Sequence, residues 1–314
     1  MNYLFYKFIK EDRNEISIEL VETLLNGIRD VLVIEVILPE LENPAEQDLL
    51  TEAINNAGTF DSQLYLYEVA GILISLLFRN PTHCQSLLAS VVKPLLDQLQ
   101  LSLQNINSPQ DVVHIVKVHH IIMALGNIAK GYPDMPSPLP ADYVMPPIEI
   151  FRQMAQAILV SLEAMNVFKA VRDAARFAFV RLVATAGSQV TDFLPTLMSN
   201  LLAHFEPTEL VDFMNFIVLM MHRLQTEMYS VLEQLVVPLH GRIMEFLATP
   251  ITGTDDRVSH SDTKKGYLNF LNAIMSNKLH GVFLTDSTSL NFSVLYVTER
   301  CFNRQQGTSR SAPQ

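Results

Sequence analysis

Apolar residues recur at three- and four-residue spacing through most of the chain, most densely between Asp61 and Gln104. In the first half of that stretch, Leu64, Tyr67, Val69, Ile72, Leu73, Leu76 and Leu77 cover more than one stripe of a helix, so the helix needs neighbours on several sides. Arg79-Asn80-Pro81 interrupts the pattern. Asn80 can accept a hydrogen bond from the free amides that open a helix, and Pro81 suits a first turn, where its missing N–H costs nothing. The spacing predicts an antiparallel helical hairpin. Its second helix carries Pro94 in the interior, where the loss of one backbone hydrogen bond bends the axis.

The same plan recurs on both sides. Ahead of the hairpin, helices are predicted from Tyr3 through Ile9, with no start signal before them, and from Glu15 to Asn26. A helical continuation is predicted from Ile28 to Leu38, followed by an acidic loop bounded by Pro39 and Pro44. Beyond the hairpin, Ser108-Pro109 reads as a cap and first-turn proline for a helix ending at Gly131. The proline-dense YPDMPSPLPADYVMPP can only be a loop, and Ile148 to Met165 is the returning helix. Phe168 to Ala186 with Val190 to His204, and Thr208 to Arg223 with Glu227 to Leu247, form a third and a fourth pair. Pro195 and Pro238 repeat the placement of Pro94. Thr249 to Ser261 reads as a polar connector and Asp262 to Asn277 as one more helix. The unit recurs at roughly 40 to 57 residues, close to HEAT and armadillo repeats. The expected fold class is all-α: a superhelical solenoid, of right-handed type, made of antiparallel HEAT-like helix pairs and truncated at both ends. It would occupy residues 1–284 with about five to six pairs, the first and last incomplete, before a divergent, poorly ordered tail over 285–314. Open ends predict exposed apolar surface and self-association.

Composition agrees with a large packed core. Of 314 residues, 49% are hydrophobic and 18% charged, which excludes a disordered chain or a coiled coil. Cys84 and Cys301 are too far apart in sequence to suggest a disulfide framework, which fits a reducing compartment. No secretory signal opens the chain: MNYLFYKFIK places its apolar residues first and its lysines within and after them. The apolar runs Val31 to Leu38 and Ile72 to Phe78 fall short of the roughly 20 residues that span a bilayer, so a soluble protein without membrane insertion is expected. The net charge of -11 argues against a globally basic nucleic-acid binder while leaving room for a local basic strip. Acids dominate the first 60 residues, as a solvated face or as a contact for a basic partner.

Catalytic patterns are missing. No glycine-rich phosphate loop, nucleophile elbow or zinc helix occurs, so neither an enzyme nor a cofactor is expected. His114, His119 and His120 are offset by five and six residues, which scatters them around a helix instead of gathering them as metal ligands. One basic feature stands out. Lys169, Arg172 and Arg176 share a stripe at i, i+3 and i+7, while Arg181 projects elsewhere. A solvated face explains the stripe most simply, and contact with phosphate or an acidic partner is the alternative.

Several long segments carry a resemblance: QLYLYEVAGILISLLF followed by PLLDQL, HHIIMALGNIAKGYPD, VRDAARFAFVRLVATAG and FLNAIMSNKLHGVF. From about Tyr3 to Leu284 the chain resembles the middle to C-terminal-middle part of the exportin-T family, the tRNA-export karyopherins of the importin-β superfamily. The resemblance implies HEAT repeats and a receptor shuttling between nucleus and cytoplasm. It also implies three partners: tRNA, Ran-GTP bound cooperatively with it, and the nucleoporins of the pore. Family members are longer, so the repeats that chiefly engage Ran would lie outside these residues, as would the arm that helps enclose tRNA. In this frame Lys169, Arg172 and Arg176 are the expected tRNA phosphate contacts. A protein-cargo karyopherin, or another HEAT scaffold with no RNA binding, is the competing reading.

Overall fold

The computed structural model describes residues 1–41, 47–106 and 111–283. The expected cap at Ser108-Pro109, the loop boundary at Pro44, Cys301 and the tail over 285–314 lie outside the described residues. Among the described residues twelve α-helices follow one another: α1 (Asn2–Glu11), α2 (Ile18–Ile28), α3 (Leu49–Asn55), α4 (Gly58–Ser75), α5 (Pro81–Asn105), α6 (Val112–Gly131), α7 (Ile148–Met165), α8 (Lys169–Ala186), α9 (Leu194–Ala203), α10 (Leu210–Leu224), α11 (Tyr229–Leu247) and α12 (Thr254–Ser276). No strand occurs among the described residues. The fold is all-α, as the patterning predicts. Contacts divide the chain into two compact units, Met1–His204 and Phe205–Gln314.

In the first unit, consecutive helices alternate between two rows. α4, α6 and α8 stack side by side, with α1 laid on α4, while α5, α7 and α9 form the second row and lean on the first. The hairpin boundaries follow the local chemistry closely. Asn80 caps α5 by accepting from the His83 amide at 3.3 Å, Pro81 occupies its first turn, and Pro94 lies inside the helix without ending it.

The first row owes its closeness to three glycines. A Cβ on Gly71 of α4 would overlap the Ile128 carbonyl oxygen of α6, and one on Gly131 would lie 2.6 Å from the Ile72 nitrogen. At the next crossing, a Cβ on Gly126 would stand 2.7 Å from the Phe177 ring and 3.0 Å from the Ala178 Cα of α8. Only a residue without a side chain lets two backbones approach this closely. Gly131 therefore ends α6, as predicted, and also forms part of a helix crossing. By length and composition α6 could cross a membrane, yet most of it is buried within the helix packing. A buried carboxylate adds polar stitching across this row. Glu68 of α4 accepts from Tyr6 at 3.0 Å, and pairs with Lys10 at 3.4 Å and Lys130 at 2.7 Å, joining α1, α4 and α6.

Three local expectations are corrected. The predicted continuation from Ile28 to Leu38 is helical only as a 3-10 turn, Arg29–Val31, after which the chain runs on without regular structure. Its burial alternates, with Leu32, Ile34, Val36 and Leu38 turned inward against Val33, Glu35 and Ile37, which is the two-residue period of extended, β-branched chain. Side chains of α4 take its carbonyls: the Tyr67 hydroxyl donates to Leu32 at 2.7 Å, and Gln63 donates to Val31 and Val33. α3 was not anticipated. Asp48 starts it by accepting from both the amide and the hydroxyl of Thr51, which also holds the Asp48 carboxyl below the usual carboxylate range. The connector from Thr249 to Ser261 is mostly helix, because Asp256 accepts from the Thr252 and Gly253 amides at 2.8 and 3.1 Å and so nucleates α12 early.

In the second unit, α10 packs on α12, and α11 lies against α12 and the 3-10 turn His280–Phe283. Pro238 sits inside α11, as Pro94 does in α5.

Candidate nucleic-acid interface

α8 carries four cations and a single acid in a chain that is strongly acidic overall. Its apolar positions fix its orientation: Val171, Ala175, Phe179 and Leu182 are buried, which turns Lys169, Ala170, Asp173 and Phe177 outward. The Lys169, Arg172 and Arg176 stripe lies along the edge of the buried face, and the structure separates its members. Arg172 is fully buried, and its Nη1 donates to the Asn166 and Val167 carbonyls at 2.7 and 3.0 Å. These carbonyls follow the last residue of α7, where a cation is favoured by the helix dipole. Arg176 is 7% exposed and pairs with Asp173. Lys169 has a 44% exposed side chain, with Nζ 2.6 Å from the same Asp173. Of the three expected phosphate contacts, only Lys169 is at the surface.

Beside this helix runs a groove of about 600 Å³. Asp48 and Thr51 form one wall, His119 and Met123 of α6 form its floor, and Lys169 and Phe177 of α8 form the other wall. The histidines contribute no charge at neutral pH. Burial pushes His119 down to about 4, against a smaller opposing pull from Asp173, and burial together with His119 pushes His120 down to about 3. The two rings meet through their Nδ1 atoms at 3.1 Å, and His120 stacks on Phe60 with ring centroids 3.7 Å apart. Among the described residues, no group of three His, Cys, Asp or Glu side chains is placed to hold a metal ion.

Arg181 belongs to this side of α8. Set apart by spacing from the stripe, it lies four residues beyond Phe177, one helical turn past the residues that line the groove. Its guanidinium carbon lies 5.7 Å from the centre of the Phe177 ring. Measuring the offset from Phe177 instead of from Lys169 would have revealed the pair.

A family model described as Exportin-T matches residues 1–312. The chain belongs to the exportin-T family. Its curated relatives include Exportin-T of Laccaria bicolor, 56% identical over 93% of this chain and 27% of its own length. Exportin-T of Coprinopsis cinerea is 50% identical over 93% of the chain and 28% of its own length, and that of Mycosarcoma maydis is 38% identical over 91% and 26%. The chain thus spans little more than a quarter of these relatives. The exportin-T match runs to residue 312, past the Leu284 at which the resemblance was expected to fade. Three of the segments that carry the exportin-T resemblance are α4, α6 and α8, the whole of the glycine-crossed row.

Proposed function

We propose that this chain is the tRNA-binding part of a nuclear export receptor of exportin-T type. The receptor takes up folded tRNA together with Ran-GTP, passes the pore through nucleoporin contacts and shuttles between nucleus and cytoplasm. Ran is engaged mainly through repeats outside these residues. The observation that carries this reading is the exportin-T match over residues 1–312. The concentration of cations on α8, in a chain of net charge -11, supports a local contact with phosphate. The work is binding alone: a helical array meets the sugar-phosphate backbone and reads the shape of the folded RNA, not its sequence. Of the stripe residues, Lys169 offers the ammonium that phosphate can reach. Arg172 and Arg176 act as positioning residues, the first by holding the end of α7 and the second by holding Asp173.

The test is equilibrium binding of tRNA, and of unstructured RNA of equal length, over a salt series with and without Ran-GTP. Binding that prefers tRNA and weakens steeply with salt is expected, and Lys169→Glu should make the salt dependence shallower. Absence of tRNA binding in every condition would overturn the reading. Capture of a protein cargo that survives RNase treatment would favour the protein-cargo receptor, which the acidic surface favours.

A further inference from the structure

We propose that Arg181, held against the ring of Phe177, is a phosphate-binding residue of this interface and marks where the RNA backbone crosses α8. The proposal rests on the tRNA-binding reading above. The other three cations of α8 are already engaged. Arg172 is spent on the α7 carbonyls, while Lys169 and Arg176 converge on Asp173. Arg181 differs from all of them. Among the described residues its buried Nε has no hydrogen-bond partner, a donor removed from water without an acceptor to replace it. A guanidinium also presents its donors as a planar fork, which matches two oxygens of one phosphate. The Phe177 ring, 5.7 Å from the guanidinium carbon, limits its motion, so less freedom is lost when an anion docks.

The surroundings favour an anion at Arg181, beside Phe177 and just outside the groove, over the groove's centre. Asp173 is neutralised by its two cations, and Asp48 stands with Thr51 on the opposite wall. His119 is uncharged at neutral pH, so Met123 and Phe177 leave an apolar surface on which a ribose or base can rest. A volume of about 600 Å³ falls within the roughly 300–1,000 Å³ typical of ligand clefts. Twelve residues of helix separate Lys169 from Arg181, about 18 Å along the axis and about a third of a turn around it, so the two cations do not meet the same phosphate.

The experiment measures tRNA affinity of the 314-residue chain across a salt series for the unaltered protein, Arg181→Ala and Arg181→Lys, with circular dichroism as the check on folding. Arg181→Ala should weaken binding about tenfold and lower the slope of log affinity against log salt by about 0.7 to 1. Arg181→Lys should keep the slope but recover only part of the affinity, because an ammonium lacks the fork. Unchanged affinity and slope in folded Arg181→Ala would overturn the assignment while leaving tRNA binding intact. Should Arg181→Ala fail to fold, Arg181→Lys decides alone: full affinity sinks the proposal, and reduced affinity on an unchanged slope supports it. A chain that binds no tRNA, with or without Ran-GTP, defeats the functional reading and the proposal together.

Discussion

Arg172 shows how one side chain can look like a ligand contact and serve as a structural pin. Its spacing with Lys169 and Arg176 is that of an exposed stripe, yet its guanidinium terminates α7 from inside the protein. Spacing gives an angle around a helix and not the depth of the neighbours, and a long aliphatic stem makes either outcome affordable. Arg172→Met should therefore lower stability by about 2–4 kcal/mol, seen as an earlier urea midpoint, because two charge-assisted bonds are lost and carbonyls are left bare. Its effect on RNA affinity should not exceed what partial unfolding explains. His119 and His120 make a second prediction. Their folded pKa values of about 4 and about 3 lie below the ordinary value near 6.5, so the unfolded chain takes up protons first on acidification. Stability is complete above pH 6.5 and is lost as pH falls toward 4 and then 3. Urea titrations at pH 7 and pH 5 should show this loss, and His120→Phe should reduce it; equal stability of the unaltered protein at both values would contradict the burial.

At the scale of elements, the glycines separate two kinds of position. Gly71→Ala drives a methyl into the Ile128 carbonyl and should cost about 2–4 kcal/mol, as severe overpacking does. Gly27→Ala in α2 meets nothing within 4 Å and should stabilise by about 0.5–1 kcal/mol through helix propensity. Thermal melts of the two variants should shift in opposite directions. Helix pairs were legible wherever periodicity and caps agreed: α7 begins and ends at the predicted Ile148 and Met165, and Asn80 caps α5 as read. Reading failed where β-branched apolar residues serve an extended chain, as from Leu32 to Leu38, because a continuous apolar run suits either period. It failed again where one acidic side chain, Asp256, begins a helix inside a polar stretch. Of the candidate site, α8, its charge excess and the four-residue offset of Arg181 from Phe177 were legible, whereas the burial of Arg172 and Arg176 depends on the helices packed against α8.

Across the whole molecule, apolar side chains remain exposed on α1 at Leu4 and Phe8 and on α12 at Leu268 and Met275. Such surface favours association, and the chain is expected to sediment as more than a monomer at micromolar concentration; Phe8→Glu combined with Leu268→Glu should shift it toward monomer. A concentration-independent monomer would show that these faces do not associate. The two rows of the first unit also differ in mechanical character. α4, α6 and α8 touch backbone to backbone at Gly71, Gly126 and Gly131, whereas α5, α7 and α9 contain no glycine and stand apart by the thickness of their side chains. The glycine row is accordingly an inextensible edge, and the other a compliant one. Bending of this unit is expected to change the spacing of α5, α7 and α9 while the row that includes α8 keeps its pitch, so that α8 is carried along as part of a rigid body.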